Sequence, residues 1–321
     1  MDYLKKVPLG RTGIPVTELC LGTLTMSRIQ ADLSPEATVP VFQKALELGV
    51  NFFDTANRYL TYDHVRLGLG RDINRVVIAS KTDARELPEA KEQVDLCFRT
   101  IGREMIDVYL LHQVDSGEEF EYRRPVLDYL LELKSKGRVR AVGISTHRIA
   151  GNLAAVRNAD VVDVLFPVIN QRGLGIIDGK LQDGLDTIAQ AHAAGIGVYA
   201  MKPLAGGHLR HDVRTAFNFL RQNNNIDSVA VGIKSADEVE VNVAIFSDGR
   251  LPLDETKAKS LIARDRRAIV NFLCKRCGAC IEHCHQAAIS LGDTKAVIDH
   301  DKCILCGYCA QHCPQFAIRV I

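Results

Sequence analysis

The sequence predicts a (β/α)8 TIM barrel followed by a small α+β domain rich in cysteine. Three observations predict it. Eight short apolar segments alternate with amphipathic stretches over residues 18–234. No G-x-G-x-x-G loop follows the first of them, as an open dinucleotide-binding sheet would want. Eight of the ten cysteines crowd into residues 274–313. The expected domains are 1–262 for the barrel and 263–321 for the cysteine-rich part.

The apolar segments are E-L-C-L-G-T (18–23), N-F-F-D-T-A (51–56), R-V-V-I-A-S-K (75–81) and I-D-V-Y-L-L-H (106–112). The other four are V-R-A-V-G-I-S (139–145), V-V-D-V-L-F-P-V-I-N-Q (161–171), G-I-G-V-Y-A-M-K (195–202) and S-V-A-V-G-I-K (228–234). Each is continuously apolar and short, the pattern of a parallel strand buried on both faces. Helical periodicity covers Glu36–Leu48, Pro88–Ile101, Pro125–Lys136, Leu181–Ala194 and Val213–Gln222, and several of these stretches run into a glycine that fits a C-terminal cap. Strand and helix alternating eight times is the pattern of the barrel.

Composition narrows the setting. The 321 residues carry 40 basic and 39 acidic side chains, a net charge of +1, which gives no electrostatic case for nucleic acid or an anionic membrane. No apolar run reaches the roughly 18 residues needed to span a bilayer, and the first residues lack the apolar stretch of a signal peptide. A cytoplasmic protein is expected, in which ten cysteines would not be structural disulfides.

The cysteines read Cys274-x2-Cys277-x2-Cys280-x3-Cys284 and Cys303-x2-Cys306-x2-Cys309-x3-Cys313-Pro314. The second run is the bacterial ferredoxin motif with its proline, and the first matches it in spacing. Each cysteine recurs 29 residues later, so the tail is an internal duplication. Two [4Fe–4S] clusters are expected. In such pairs the fourth cysteine of each run ligates the other cluster. Cys274, Cys277, Cys280 and Cys313 should hold one; Cys303, Cys306, Cys309 and Cys284 the other. Zinc, which favours separated cysteine pairs and histidine, suits the spacing poorly. His285 stands where the proline should follow Cys284, and His283 and His312 are read as cluster neighbours. Cys20 and Cys97 sit in apolar patterns that suit buried packing.

Barrel active sites lie at the C-terminal ends of the strands. Those ends carry Asp54, Lys81, His112, Ser145, Gln171, Lys202 and Lys234. At this point D-T-A-N-R-Y (54–59), I-A-S-K-T (78–82) and L-L-H-Q (110–113) resemble the aldo-keto reductase tetrad in order and spacing, and the similarity runs over nearly all of residues 5–245. The opening P-L-G-R-T-G-I-P-V-T-E-L-C-L-G-T is similar to that family's hairpin beneath the barrel and first strand. The resemblance implies carbonyl–alcohol oxidoreduction with a nicotinamide cofactor. Tyr59 is then the general acid, Lys81 lowers its pKa, Asp54 pairs with Lys81, and His112 orients the carbonyl.

The same resemblance places the cofactor. Gly22, Thr23, Ser145 and Gln171 match contacts around the nicotinamide, with Thr146 where the family has asparagine and Met201 where an aromatic ring stacks. Lys202, Leu204 and Gly206, in M-K-P-L-A-G-G, match the pyrophosphate loop. Lys234, Ser235, Glu238 and Asn242 match the adenosine end, and a carboxylate at Glu238 leans the expectation to NAD(H) over NADP(H). Asn57, Arg58, Tyr62 and His147 are candidate pocket residues, Arg58 for an anionic or polyol substrate. The partners expected are a small carbonyl or alcohol and a one-electron carrier protein. Three readings stay open: a reductase whose clusters relay electrons, an ordinary hydride-transfer reductase with structural or sensory clusters, and a non-catalytic electron-transfer partner. A flavin would convert single electrons to hydride, but no flavin-specific motif is present. Residues 248–267 look like a loop and polar helix that dock the tail on the barrel.

Overall fold

The computed structural model describes residues 3–262 and 267–320. Residues 263–266, which follow the expected boundary and lie within the connecting segment, are outside the described residues. Fourteen strands are described. They are β1 (Lys6–Pro8), β2 (Pro15–Thr17), β3 (Leu19–Gly22), β4 (Phe52–Asp54), β5 (Val77–Thr82), β6 (Ile106–Leu111) and β7 (Val139–Thr146), then β8 (Val164–Pro167), β9 (Gly197–Ala200), β10 (Ser228–Gly232), β11 (Ala268–Val270), β12 (Ile289–Leu291), β13 (Ala296–Ile298) and β14 (Ile318–Val320). The helices are α1 (Pro35–Glu47), α2 (Tyr62–Leu69), α3 (Leu87–Ile101), α4 (Gly117–Tyr122), α5 (Arg124–Ser135) and α6 (Ile149–Arg157), then α7 (Leu181–Ala193), α8 (Val213–Arg221), α9 (Ala236–Phe246), α10 (Glu255–Ile262), α11 (Ala279–Glu282) and α12 (Tyr308–Gln311).

Strands β3 to β10 close a barrel in sequence order, with β10 paired to β3, and every pairing is parallel. All eight expected strands are present. Their outer faces pack on the helices around Phe42, Phe53, Ile78, Tyr109 and Phe246. Their inner faces fill the barrel with Phe52, Val77, Val108, Leu110, Val164, Phe166 and Tyr199. The β1–β2 hairpin closes the bottom, where Leu9, Ile14 and Val16 join that inner core. A filled interior leaves only the top rim for chemistry. No helix among the described residues is long and apolar enough to cross a membrane.

The tail folds as a duplicated unit. β11 pairs antiparallel with β14, and β12 with β13. The left-handed backbone at Arg276, Gly278 and Ala287 recurs at Leu305, Gly307 and Phe316. The short helices α11 and α12 start at corresponding places, each after one of those glycines. The duplication seen in the cysteine spacing is therefore a structural repeat. On the barrel side, α10 is tied to α9 by Lys257, which bridges Asp237 and Glu240.

Candidate active site

The tetrad assembles at the top of the barrel. Asp54 ends β4, Lys81 lies near the end of β5, His112 follows β6, and Tyr59 sits on a short 3-10 turn after β4. Lys81 is fully buried, and its Nζ donates to Asp54 Oδ1 at 2.7 Å, Asp54 Oδ2 at 2.6 Å and the Thr55 carbonyl at 2.8 Å. Those three bonds use every hydrogen an ammonium has. Burial pushes Lys81 down and Asp54 up, and each charge holds the other against that drift. A buried charge without such a partner would neutralise instead.

Tyr59 and His112 meet edge to face, with ring centroids 5.7 Å apart. Burial drives the His112 imidazole well below its ordinary pKa, and Lys81, Arg58 and Arg123 push the same way. The ring is therefore neutral near pH 7 and can donate one N–H to an oxygen without adding charge. Lys81 Nζ lies 4.9 Å from the Tyr59 ring centroid, its charge close to the phenol while its hydrogens are held by Asp54 and Thr55. Burial raises Tyr59 well above an ordinary phenol. Tyr308 and Asp54 add to the rise, and Arg58 opposes it.

Three groups that the sequence did not single out shape the site. Tyr199, on β9, donates its hydroxyl to Asp54 Oδ2 at 3.0 Å and stacks on Phe166 at 3.9 Å. It faces inward by strand alternation, which was the available signal. Arg123 is buried after α4 and donates to the carbonyls of His112 at 2.8 Å and Thr82 at 2.9 Å. It pins the ends of β5 and β6, which carry Lys81 and His112. The third is Tyr308, from the cysteine-rich unit, whose buried ring lies 5.5 Å from the Arg58 guanidinium and whose phenol adds to the rise at Tyr59.

The candidate pocket residues divide. Tyr62 packs in the outer core and shares a 3.1 Å hydrogen bond with Ser80, so it is a core residue. Arg58 donates to Asp83 Oδ2 at 2.9 Å and Gln113 Oε1 at 3.1 Å, and lies 5.5 Å from the Tyr308 ring centroid. It is neither a solvated arginine nor an unengaged anion receptor. Asn57 leans towards Asp83 at 3.5 Å. His147 is buried beside the cysteine-rich unit.

The expected cofactor contacts are similarly engaged. Thr23 Oγ1 bonds the Asp54 carbonyl and Thr61, and Ser145 Oγ accepts from Gln113 N. Gln171 and Met201 remain half-buried at the rim, and Gly22 packs beside Val231. The loop holding Lys202, Leu204 and Gly206 folds back on itself through Ala205 N to Lys202 O and Gly207 N to Leu204 O. Ser235 caps α9, accepting from Glu238 N, while Glu238 Oε2 accepts from Lys234 N at 2.8 Å. The Glu238 carboxylate is thus held by the backbone just before α9. Asn242 lies buried on α9. The dinucleotide path is also covered: a Cβ on Gly206 would overlap the Ile304 carbonyl of the cysteine-rich unit. With the cysteine-rich unit in this position, a nicotinamide dinucleotide does not fit along the Gly206 loop.

The cysteines do fit a cubane. One cavity is lined by Cys274, Cys277, Cys280 and Cys313, and a second by Cys284, Cys303, Cys306 and Cys309. This is the crossed pairing that the spacing predicts. Backbone amides of Ala288, Ala296 and Ala317 donate to the sulfurs of Cys284, Cys274 and Cys313 at 3.2–3.4 Å. Among the described residues no group of His, Cys, Asp or Glu is placed to hold a single metal ion. His283 and His312 stack at 3.6 Å, and His285 meets the Tyr308 ring edge-on. Cys20 and Cys97 are buried in the barrel, and burial pushes both thiols up.

Two family models match separate parts of the chain. Residues 18–247 match the aldo/keto reductase family and residues 296–319 a 4Fe-4S binding domain. L-galactose dehydrogenase of Arabidopsis thaliana is 23% identical over 287 residues, covering 77% of this chain and 90% of its own. The NADH-specific methylglyoxal reductase of Escherichia coli is 25% identical over 234 residues, covering 64% and 69%. The solved aldo-keto reductase AKR11C1 of Bacillus halodurans superposes with a TM-score of 0.62 at 19% identity, covering 81% of this chain and 97% of that one. With a family match over most of the chain and an eight-stranded barrel carrying the tetrad at its rim, this chain belongs to the aldo/keto reductase family.

Proposed function

We propose that this chain interconverts a small carbonyl compound and its alcohol at Tyr59, and that its tail holds two [4Fe–4S] clusters for electron transfer. The observation that carries the reading is the assembled tetrad: a fully buried Lys81 saturated by Asp54 and Thr55, with Tyr59 and His112 ring to ring above it. Tyr59 holds the proton that a carbonyl oxygen takes as it becomes an alkoxide. Its raised pKa keeps that proton in place across the neutral range. Neutral His112 orients the same oxygen with one N–H. The Asp54–Lys81 pair, clamped by Tyr199, fixes the floor on which both stand and places a positive charge near the developing negative one.

Cys274, Cys277, Cys280 and Cys313 would hold one cubane, and Cys284, Cys303, Cys306 and Cys309 the other. When bound, such clusters store and pass single electrons. The amide-to-sulfur bonds tune that exchange. Carbonyl reduction takes two electrons, supplied either by a hydride donor such as NADH or NADPH or by a one-electron carrier through the clusters. The named substrates of the two relatives, a sugar and a 2-oxoaldehyde, set the class to try first.

The test is anaerobic turnover of the cluster-loaded chain on an aldose and on methylglyoxal, driven in parallel by NADH, NADPH and reduced methyl viologen. Tyr59→Phe should lower the rate by about 10²–10⁴ with whichever donor works. A Tyr59→Phe rate equal to that of the unaltered chain would refute the role of Tyr59.

A further inference from the structure

Four contacts seat the second cysteine loop on the barrel rim. His208 Nε2, beyond β9, donates to the Cys303 carbonyl at 2.6 Å. Gln30 Nε2, beyond β3, donates to the Cys306 carbonyl at 3.3 Å. Gly206, with φ at 72°, lies so close under the Ile304 carbonyl that a Cβ would overlap it. Gly307, with φ at 83°, lies against the Ile29 carbonyl, which a Cβ there would also overlap. Both glycines have conformations that L side chains rarely adopt, and both sit where no side chain would fit. From the first cysteine run, Gln286 Nε2 donates to Gly175 O at 3.2 Å. The Ile304 side chain lies over Gly175 and next to Val168.

The buried residues of this loop divide between two surfaces. Leu305 and Cys309 belong to the cysteine-rich unit's own core. Ile304 and Tyr308 are equally buried but lie outside that core. They are covered by the barrel. Tyr308 reaches Tyr59, the group that must meet a substrate oxygen. Ile304 reaches the loop that the family resemblance assigns to pyrophosphate. The backbone amides of Ala205 and Gly207 in that loop already bond within it.

The geometry points to a single occupant: the segment Cys303–Tyr308 fills the barrel's dinucleotide cradle, so that a docked cysteine-rich unit and a nicotinamide dinucleotide exclude each other. Docking is then a gate on hydride chemistry at Tyr59. While the unit is docked, the group facing the tetrad belongs to the cubane loop between Cys306 and Cys309. A dinucleotide binds only in the fraction of molecules whose unit has swung away, and its apparent affinity is reduced by that fraction. This inference rests on the tetrad reading only for where the cradle lies. It is tested by binding, whereas the tetrad reading is tested by rate.

The experiment uses the full cluster-loaded chain and its Ile304→Asp variant, which places a charge in the contact without touching a cysteine or a tetrad residue. NADH and NADPH binding is measured by anaerobic calorimetry. Amide hydrogen exchange is followed at 203–208 and 303–309, and visible absorbance confirms that the variant keeps its clusters. If Ile304→Asp loses clusters, the pair Gln30→Ala with His208→Ala serves instead. The expected result is faster exchange at both segments in the variant and dinucleotide binding at least about tenfold tighter than in the unaltered chain. Two results would overturn the inference. One is an opened variant that binds no better than the unaltered chain. The other is saturable binding to the unaltered chain with exchange at 303–309 unchanged.

Discussion

At the scale of single residues, the tetrad separates a fixed charge from the groups that hold a proton. An ammonium has three hydrogens, and here Asp54 and Thr55 take them all. What Lys81 contributes is charge at a fixed distance, while burial sets the protonation of its neighbours. His112 shows the consequence for stability. Its pKa in the folded chain lies well below the ordinary value, so at pH below about 6.5 the unfolded chain binds a proton that the folded chain refuses. Stability from this group is complete above that pH and falls as pH drops towards the folded pKa, with a slope of up to about 1.4 kcal/mol per pH unit. His112→Asn removes this slope. Urea midpoints of the two chains between about pH 6.5 and 5 should therefore converge on acidification. Parallel curves would mean that His112 accepts a proton in the folded state.

At the scale of elements, the eight strands were legible because each is a short, continuously apolar run, and their inner residues now fill the barrel. Helix α6 was not, because I-A-G-N-L-A-A-V-R has no strong polar face to give it a period, and Gly151 lets it press on Thr146 and the Val114 carbonyl. The strand-end positions of Asp54, Lys81 and His112 were legible for the same reason as the strands. Arg123 was not. One of two adjacent arginines after a short acidic helix looks like a solvated cation, and only the fold turns it inward. Its guanidinium bridges the ends of β5 and β6, and burial lowers its pKa to about 10. Arg123→Met keeps the volume and leaves the His112 carbonyl without this donor, at a cost of about 1–3 kcal/mol. Because β5 and β6 carry Lys81 and His112, turnover should fall further than stability alone explains. The check is the rate well below the variant's melting temperature. A variant less stable but fully active there would make Arg123 a structural residue only.

At the scale of the whole molecule, the cysteine spacing told how the tail folds and which four thiols share a cavity, but not where the tail sits. The docking contacts are backbone carbonyls at Cys303, Ile304 and Cys306 meeting a histidine, a glycine and a glutamine, with Gly307 against the Ile29 carbonyl, and a backbone carbonyl has no sequence signature. Only Tyr308 marked the site, and its motif position between two ligands masked it. The same division predicts what cluster loss does. Among the described residues the unit's own buried core is nine residues, two of which are the proposed ligands Cys280 and Cys309. So small a core is marginal without a cross-link or a bound metal. A cubane bridges chain segments far apart in sequence, such as Cys274 and Cys313, and its binding energy becomes folding energy. The barrel needs none of this, since its two cores are closed by their own strands and helices. Oxidative chelation of the iron should therefore unfold residues 267–320 and leave the barrel intact, uncovering Tyr59 in the same step. Limited proteolysis should cut first between 267 and 320 while far-UV circular dichroism keeps the barrel's signal. Cleavage starting instead in the β3–β10 barrel would show that the docked unit holds the barrel together, and that the dependence runs the other way.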